Sequence, residues 1–335
     1  MRRLVFIVGA GASKSFGDSM PVGAELASRI KGELDKSFSG HFGNSDGPIA
    51  KALKYSSTGL TQELFQAGKA IRRGLIHQAS IDDLLREWAE DHPEMVRVGK
   101  TAIAHFILEA EGASTLGPTI SNDEDIGTRV IDKLGNSWLA YLMRHLRRDS
   151  AFRRDPSSAF SNVAFIVFNY DRCVEQYLFW AFQTAGLNAQ SAAAELRKIP
   201  IVHVYGSLGP LPFESPRDDV VPFGLATSNL ERMADRIRTY TEEVSDHERL
   251  QLIHTLLEEA KRVVFLGFGY HRANMDLLFP NGPPAGGEFW GASERTSPAA
   301  LKEASSRVYG ARSVSGRFIN EPCEWFLKRH HDFLE

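Results

Sequence analysis

Residues 4–13, Leu4-Val5-Phe6-Ile7-Val8-Gly9-Ala10-Gly11-Ala12-Ser13, decide the fold class. Five consecutive apolar residues without polar alternation predict a strand buried on both faces, and the glycine pair at its end predicts a tight turn into a helix. Three later segments repeat the pattern. Val163–Phe168 runs into Asn169-Tyr170-Asp171, Ile199–Tyr205 turns at Gly206-Ser207, and Val263–Leu266 meets Gly267-Phe268-Gly269. A weaker fifth run, Glu288–Trp290, ends at Gly291, and Ser297-Pro298 then opens a helix through Ala300, Leu301 and Ala304.

Helical signals fill the spaces between. Val22–Phe38 aligns Val22, Leu26, Ile30 and Leu34 on one face. Ser80 is an N-cap for Ile81–Glu90, with Asp82 and Asp83 in its first turn. Thr128–Arg147 carries a long apolar stripe from Val130 through Trp138 to Leu146, and Glu248–Ala260 feeds the strand at Val263. The expectation is one α/β domain with a Rossmann-like, doubly wound parallel sheet and large all-helical insertions. Its core covers about residues 1–35 and 160–335, with one helical insertion at about 36–158 and a second at about 212–260. Ser37–Gly47, Gly112–Asp125 and Pro280–Gly287 are expected loops.

Composition narrows the function classes. Net charge is −3, from 39 basic and 42 acidic residues, so no direct nucleic-acid binding is expected. The basic stretch Arg144, His145, Arg147, Arg148, Arg153, Arg154 contains Asp149 and is followed by Asp155, which suits a solvated helix end. No apolar run has membrane-spanning length, and Leu4–Val8 is too short for a secretory core, so a cytoplasmic location is expected. Two cysteines, Cys173 and Cys323, are too few for a four-cysteine zinc module, and His330 and His331 lack a third ligand at metal spacing. No metal site and no zinc are expected.

Ligands of open parallel sheets bind beyond the carboxyl ends of the strands. Gly9 and Gly11 permit close backbone approach, so N–H groups at the following helix start can face a pyrophosphate. The same glycines can instead serve strand–helix packing alone. Lys14 stands where a dehydrogenase fingerprint needs a third small residue, and no acid-ended second strand follows about twenty residues on. Ser13 before Lys14-Ser15 likewise breaks a P-loop pattern.

Gly9-Ala10-Gly11-Ala12-Ser13 with Pro21, Phe168-Asn169-Tyr170-Asp171, and His203-Val204-Tyr205-Gly206-Ser207 together resemble the ordered motifs of the sirtuin-like family. The resemblance is to its bacterial anti-phage effectors that hydrolyse NAD; Phe268-Gly269-Tyr270 and Ser80-Ile81-Asp82-Asp83 are similar to that branch too. It covers the α/β core, about half of the chain. Without the zinc module, and with Pro21 leading into Val22-Gly23-Ala24 rather than Asp-Phe-Arg, protein deacylation is not expected. The resemblance implies NAD as substrate, cleaved at the nicotinamide–ribose bond to nicotinamide and ADP-ribose. It also implies a homo-oligomer and a second defence-system protein as partner. A sensor or scaffold that binds NAD or ADP-ribose without cleaving it is the alternative, with an NAD-dependent oxidoreductase behind it.

By the same resemblance, Gly9, Ala10, Gly11, Ala12 and Ser13 cradle the pyrophosphate, with Pro21, Gly206, Ser207 and Asn274 also in the cofactor site. Gly267 and Gly269 leave room for the adenosine end, and Asn169 orients the attacking water or the ribose hydroxyls. Asp171 is a catalytic candidate beside Asn169, His203 and Tyr205, as a carboxylate supporting the site; Asn169 and Asp171 can alternatively cap the helix near Arg172, and Asn274 a helix at Met275–Phe279. Tyr205 occupies the position of the family's histidine. Residues 203 and 205 share a face if the strand continues, so His203 is expected to be the base and Tyr205 a hydrogen-bonding neighbour.

Overall fold

The computed structural model describes residues 3–42, 45–78, 80–118, 126–148, 158–216, 219–225, 230–240, 242, 246–294, 296–309, 317–330 and 334. The end of the expected Gly112–Asp125 loop, the charged residues 149–155 and His331 lie outside them.

Six strands form a single parallel sheet: β1 (Arg3–Val8), β2 (Val163–Val167), β3 (Ile201–His203), β4 (Ala260–Leu266), β5 (Glu288–Ala292) and β6 (Phe318–Ile319). Their order is β3-β2-β1-β4-β5-β6. This is the Rossmann-like doubly wound arrangement, and its reversal point lies between β1 and β4. The central strands are apolar throughout because both faces are covered. Val5 and Ile7 face one core with Ala164, Ile166, Val263 and Phe265. Phe6 and Val8 face the other with Phe165, Val167, Val264 and Leu266.

Between β1 and β2 the chain makes eight described helices: α1 (Ala10–Ser13), α2 (Gly23–Phe38), α3 (Pro48–Lys54), α4 (Gln62–Gly74), α5 (Ile81–Trp88), α6 (Pro93–Ala113), α7 (Ile126–Lys133) and α8 (Trp138–Leu146). The helix α6 has proline at its first turn, where no intrahelical N–H is needed, and is buried along most of its length. Leu26, Ile30 and Leu34 of α2 pack in the same core as Val98, Ala102 and Ile103 of α6. The expected single helix over 128–147 is two helices, α7 and α8. The break falls at Gly135-Asn136-Ser137, where the Ser137 hydroxyl accepts from the Ala140 N–H at 3.3 Å and caps α8.

Past β2 follow α9 (Cys173–Thr184) and α10 (Ala189–Leu196); past β3, α11 (Leu230–Ala234) and α12 (His247–Glu258). The last helices are α13 (Arg272–Leu278), α14 (Pro298–Tyr309) and α15 (Cys323–Arg329). A buried ion pair ties the first insertion to the core. Glu111, at the end of α6, accepts from Arg172 Nε at 3.1 Å and Nη2 at 2.6 Å, and neither side chain is more than 1% exposed. Arg172 also donates to the carbonyls of Gly209, Val221 and Pro222, so one guanidinium joins insertion, core and the loop after β3. Among the described residues no helix is long and apolar enough to cross a membrane.

Candidate functional site

A cleft of about 930 Å³ opens at the carboxyl ends of the strands, across the reversal point between β1 and β4. Its floor includes Gly9, Ala10 and Gly11 after β1, Asn169 and Tyr170 after β2, and Gly267, Phe268 and Gly269 after β4. Tyr205 and Asn274 also line it. The first insertion supplies the roof, with Asp82 and Asp83 from α5 and Lys100 and Ile103 from α6. A concave space of this size, with apolar walls and a few convergent polar groups, has the character of a small-molecule site.

The glycines hold two loops together. Gly11 N–H donates to the Gly267 carbonyl at 3.0 Å, and Gly9 N–H to the Leu266 carbonyl at 2.9 Å. A Cβ on Gly9 would lie 2.5 Å from the Gly267 oxygen, and one on Gly11 would lie 2.9 Å from the Gly267 Cα. Gly267 itself has φ +58°, and a Cβ there would lie 2.0 Å from the Ala12 nitrogen. The space beside Gly11 is therefore filled by the second glycine loop. A valine at position 11 strikes backbone, so it tests the fold before it tests phosphate approach.

Asn169 is 5% exposed, and its hydrogen bonds fix how its amide points. Nδ2 donates to the Gly9 carbonyl at 3.0 Å, which can only accept. It also donates to Ser13 Oγ at 2.9 Å, whose own proton goes to Asp171 at 2.9–3.1 Å. The amide oxygen is left buried with no hydrogen-bond partner among the described residues. Asp171 accepts from the Cys173 N–H at 3.2 Å and so caps α9, while Asn169 does not. Burial raises the Asp171 carboxyl above its ordinary value, against the hydrogen bonds from Cys173 and Ser13.

Ala12, Ser13, Pro21 and Asp171 lie beneath or beside the cleft wall rather than on it. Ser13 and Asp171 nevertheless serve the site by fixing Asn169. Gly206 and Ser207 are also off the wall. Gly206 has φ +71° and turns tightly against the Arg236 backbone, and Ser207 Oγ accepts from the Gly209 N–H at 3.3 Å. Asn274 is inside α13 rather than capping a helix at 275, and its Oδ1 accepts from the Tyr205 hydroxyl at 2.6 Å.

His203 does not reach the cleft, which corrects the expected geometry. The strand ends at His203, and a turn through Val204 and Tyr205, closed by the Gly206 N–H donating to the His203 carbonyl at 3.3 Å, puts Tyr205 in the core opposite to the one that holds α9. The His203 ring lies against α9, with Nε2 2.7 Å from Glu175 Oε1 and Nδ1 2.8 Å from the Asn169 carbonyl oxygen. A carbonyl and a carboxylate both accept, so both ring nitrogens carry protons and the ring is an imidazolium. Burial alone would lower its pKa, but the Glu175 charge and hydrogen bond, with the Asn169 carbonyl, override this and raise it to about 9. A ring protonated at both nitrogens has no lone pair for a base. His203 instead holds the backbone of Asn169.

This has a measurable consequence. The folded pKa of about 9 exceeds the ordinary 6.5, so the stabilisation from His203 is fully present below pH 6.5 and is lost as pH rises through 9. Urea midpoints should fall over that window in the wild type, and His203→Gln should lack this component. Identical pH slopes for the two proteins would remove the imidazolium.

Several cleft residues carried no signal for this role in the sequence. Lys14, noticed above only as a departure from a fingerprint, pairs with Glu25 at 2.5 Å on the wall. Burial opposes ionisation of Glu25, but Lys14 and the Val22 N–H keep its carboxyl below the ordinary range. Arg238, Tyr240 and His271 join from segments with no motif. The Tyr170 hydroxyl donates to Asp82 Oδ1, linking the Asn169 loop to the roof. Asp82 was legible as a first-turn acid of α5, but nothing local to it says that α5 covers the cleft.

No protein-family model matches the chain, and no curated protein matches it significantly.

Proposed function

We propose that this protein is a sirtuin-like NAD glycohydrolase that binds NAD across the reversal point of the sheet and cleaves its nicotinamide–ribose bond. The observation that carries the reading is the buried, unpartnered Asn169 amide oxygen at the floor of the cleft. An acceptor held in fixed orientation, and left unsatisfied by the described residues, suits a ribose hydroxyl or a water molecule. The cleft spans loops on both sides of the reversal point, which suits a ligand with two nucleoside halves joined by a pyrophosphate.

The chemistry asks little of the protein by way of acid. The C–N bond breaks with its electron pair going to the pyridine nitrogen, so nicotinamide leaves neutral. The anomeric carbon becomes cationic and takes the oxygen of water, which releases a proton. Asn169 orients the ribose or the water, and the rigidity given to its loop by Ser13, Asp171 and His203 is the preorganisation such a step needs. The N–H groups of Gly9, Gly11 and Ala12 are bonded within the two glycine loops, so a pyrophosphate lying at this floor would meet close-packed backbone rather than these three donors. NAD depletion in anti-phage defence, within a cytoplasmic homo-oligomer acting beside a second defence protein, is the cellular role that goes with this reading.

Incubation of the purified chain with NAD tests it, with nicotinamide and ADP-ribose followed by chromatography and binding by calorimetry. Nicotinamide release supports hydrolysis. Tight binding with NAD recovered intact, including after addition of candidate activators, would make the protein a sensor instead. No binding would sink the reading.

A further inference from the structure

Resting on that reading, we infer that Asp82 is the carboxylate that faces the reacting end of NAD, favouring its cationic ring and accepting the proton of the attacking water. Asn169 and Tyr170 are consecutive, and the Tyr170 hydroxyl donates to Asp82 Oδ1. One loop of the core therefore carries the oriented amide and also fixes the roof carboxylate. Asp82 Oδ1 holds this bond while the carboxylate as a whole faces the cleft.

Among the described hydrogen bonds, none joins the other acids of the cleft, Asp18, Glu25, Asp83, Glu294 and Glu324, to Asn169 or Tyr170. Glu25 is bound by Lys14 and the Val22 N–H. Asp83 accepts from the Ser80 hydroxyl and from Arg86. Glu294 and Glu324 stand on the β5–β6 side, away from Asn169 in the order of the sheet. The groups that could have served as base at the β2–β3 side are accounted for too. His203 is protonated behind the wall, and the Tyr205 proton goes to Asn274.

Around Asp82 the surroundings suit a planar cation. Phe168, Tyr170, Tyr205 and Phe268 all line the cleft, and the rings of Phe168 and Phe268 meet at 4.8 Å. A carboxylate inside a cleft attracts a pyridinium or an oxocarbenium more strongly than it would in bulk water. Asp82 is open to the cleft, yet the surrounding cleft walls disfavour its charge and raise its carboxyl above its ordinary value, against the Tyr170 hydrogen bond, while the charge of Asp83 adds to the rise. A carboxylate made more basic in this way is a better proton acceptor at neutral pH. The step balances. The C1′–N bond breaks with its electrons passing to nicotinamide, water oxygen bonds to C1′, and the water proton passes to Asp82 and then to solvent.

Two measurements decide the matter, each on the full chain, with a thermal melt of every variant. Binding of NAD and NADH is compared by calorimetry, since the reduced ring is uncharged. Wild type should prefer NAD by about tenfold, the ratio that corresponds to 1.4 kcal/mol, and Asp82→Asn should bring the two affinities together. Nicotinamide release by Asp82→Asn should fall by roughly 10²–10⁴, while Asp276→Asn, which neutralises an exposed carboxylate of α13 outside the cleft wall, should stay within about threefold. An unchanged NAD/NADH ratio in Asp82→Asn overturns the proposal, as does wild-type turnover in that variant or an equal loss of turnover in Asp276→Asn. If Asp82→Asn melts early, Asp82→Ser replaces it, again removing the charge, and the same two readings apply. A wild type that binds neither dinucleotide sinks the NAD reading and this inference with it. A wild type that binds NAD tenfold better than NADH yet never cleaves it sinks only the hydrolysis.

Discussion

Arg172→Met should lower the unfolding free energy by about 3–5 kcal/mol, the cost of leaving one member of a buried ion pair alone. Glu111 is fully buried, and without the guanidinium it keeps only the N–H groups of Arg172 and Gly224, at 3.0 and 3.2 Å. The carbonyls of Gly209, Val221 and Pro222 lose their donor in the same step. Adding Glu111→Leu should recover part of the loss, because the pair then leaves together and no charge stays buried. Urea unfolding of the two single variants and the double variant measures this. A loss below about 1 kcal/mol in Arg172→Met would mean that the joint between insertion and core is not held by this pair.

Asn169→Ala should lower nicotinamide release by roughly 10²–10³, as removal of one positioned polar group does in other active sites. It also removes the donor to the Gly9 carbonyl and Ser13 Oγ, so a modest loss of stability, about 1–3 kcal/mol, accompanies it. The folded fraction at the assay temperature must therefore be measured beside the rate. Dinucleotide affinity should change much less than turnover. An unaltered rate in a folded variant would reduce Asn169 to a strut between the first two strand loops.

The sheet was legible because buried parallel strands carry an unbroken apolar run into a glycine or amide turn, as at Val8-Gly9 and Val167-Phe168-Asn169. β6 was not legible: two residues, Phe318 and Ile319, cannot display a period. The break between α7 and α8 was written in Gly135-Asn136-Ser137, but the apolar stripe on either side masked it. Of the residues singled out in the sequence, Gly9–Gly11, Asn169, Tyr205, Gly267, Gly269 and Asn274 line one cleft. The placement of His203 failed for a definite reason. Alternation of faces was carried two residues past the end of the strand, where the turn before Gly206 had already reset it. The roof was beyond local reading, since only tertiary packing lays α5 and α6 over the strand ends.

The order of the strands also sets a timetable for the nascent chain. β1 is made first but sits at the middle of the sheet, with Leu4 opposite Val163 on one side and Arg262 on the other. Until those distant segments leave the ribosome, the run Leu4–Val8 has neither of its neighbours, and its apolar side chains need shelter. The helices that follow can form in the meantime from contacts within the first insertion, whereas the sheet must wait for loop closures across most of the chain. Chaperone demand should therefore peak after the insertion is made and fall once β4 emerges. The binding cleft, whose wall runs from Gly9 to Glu324, is among the last features to exist.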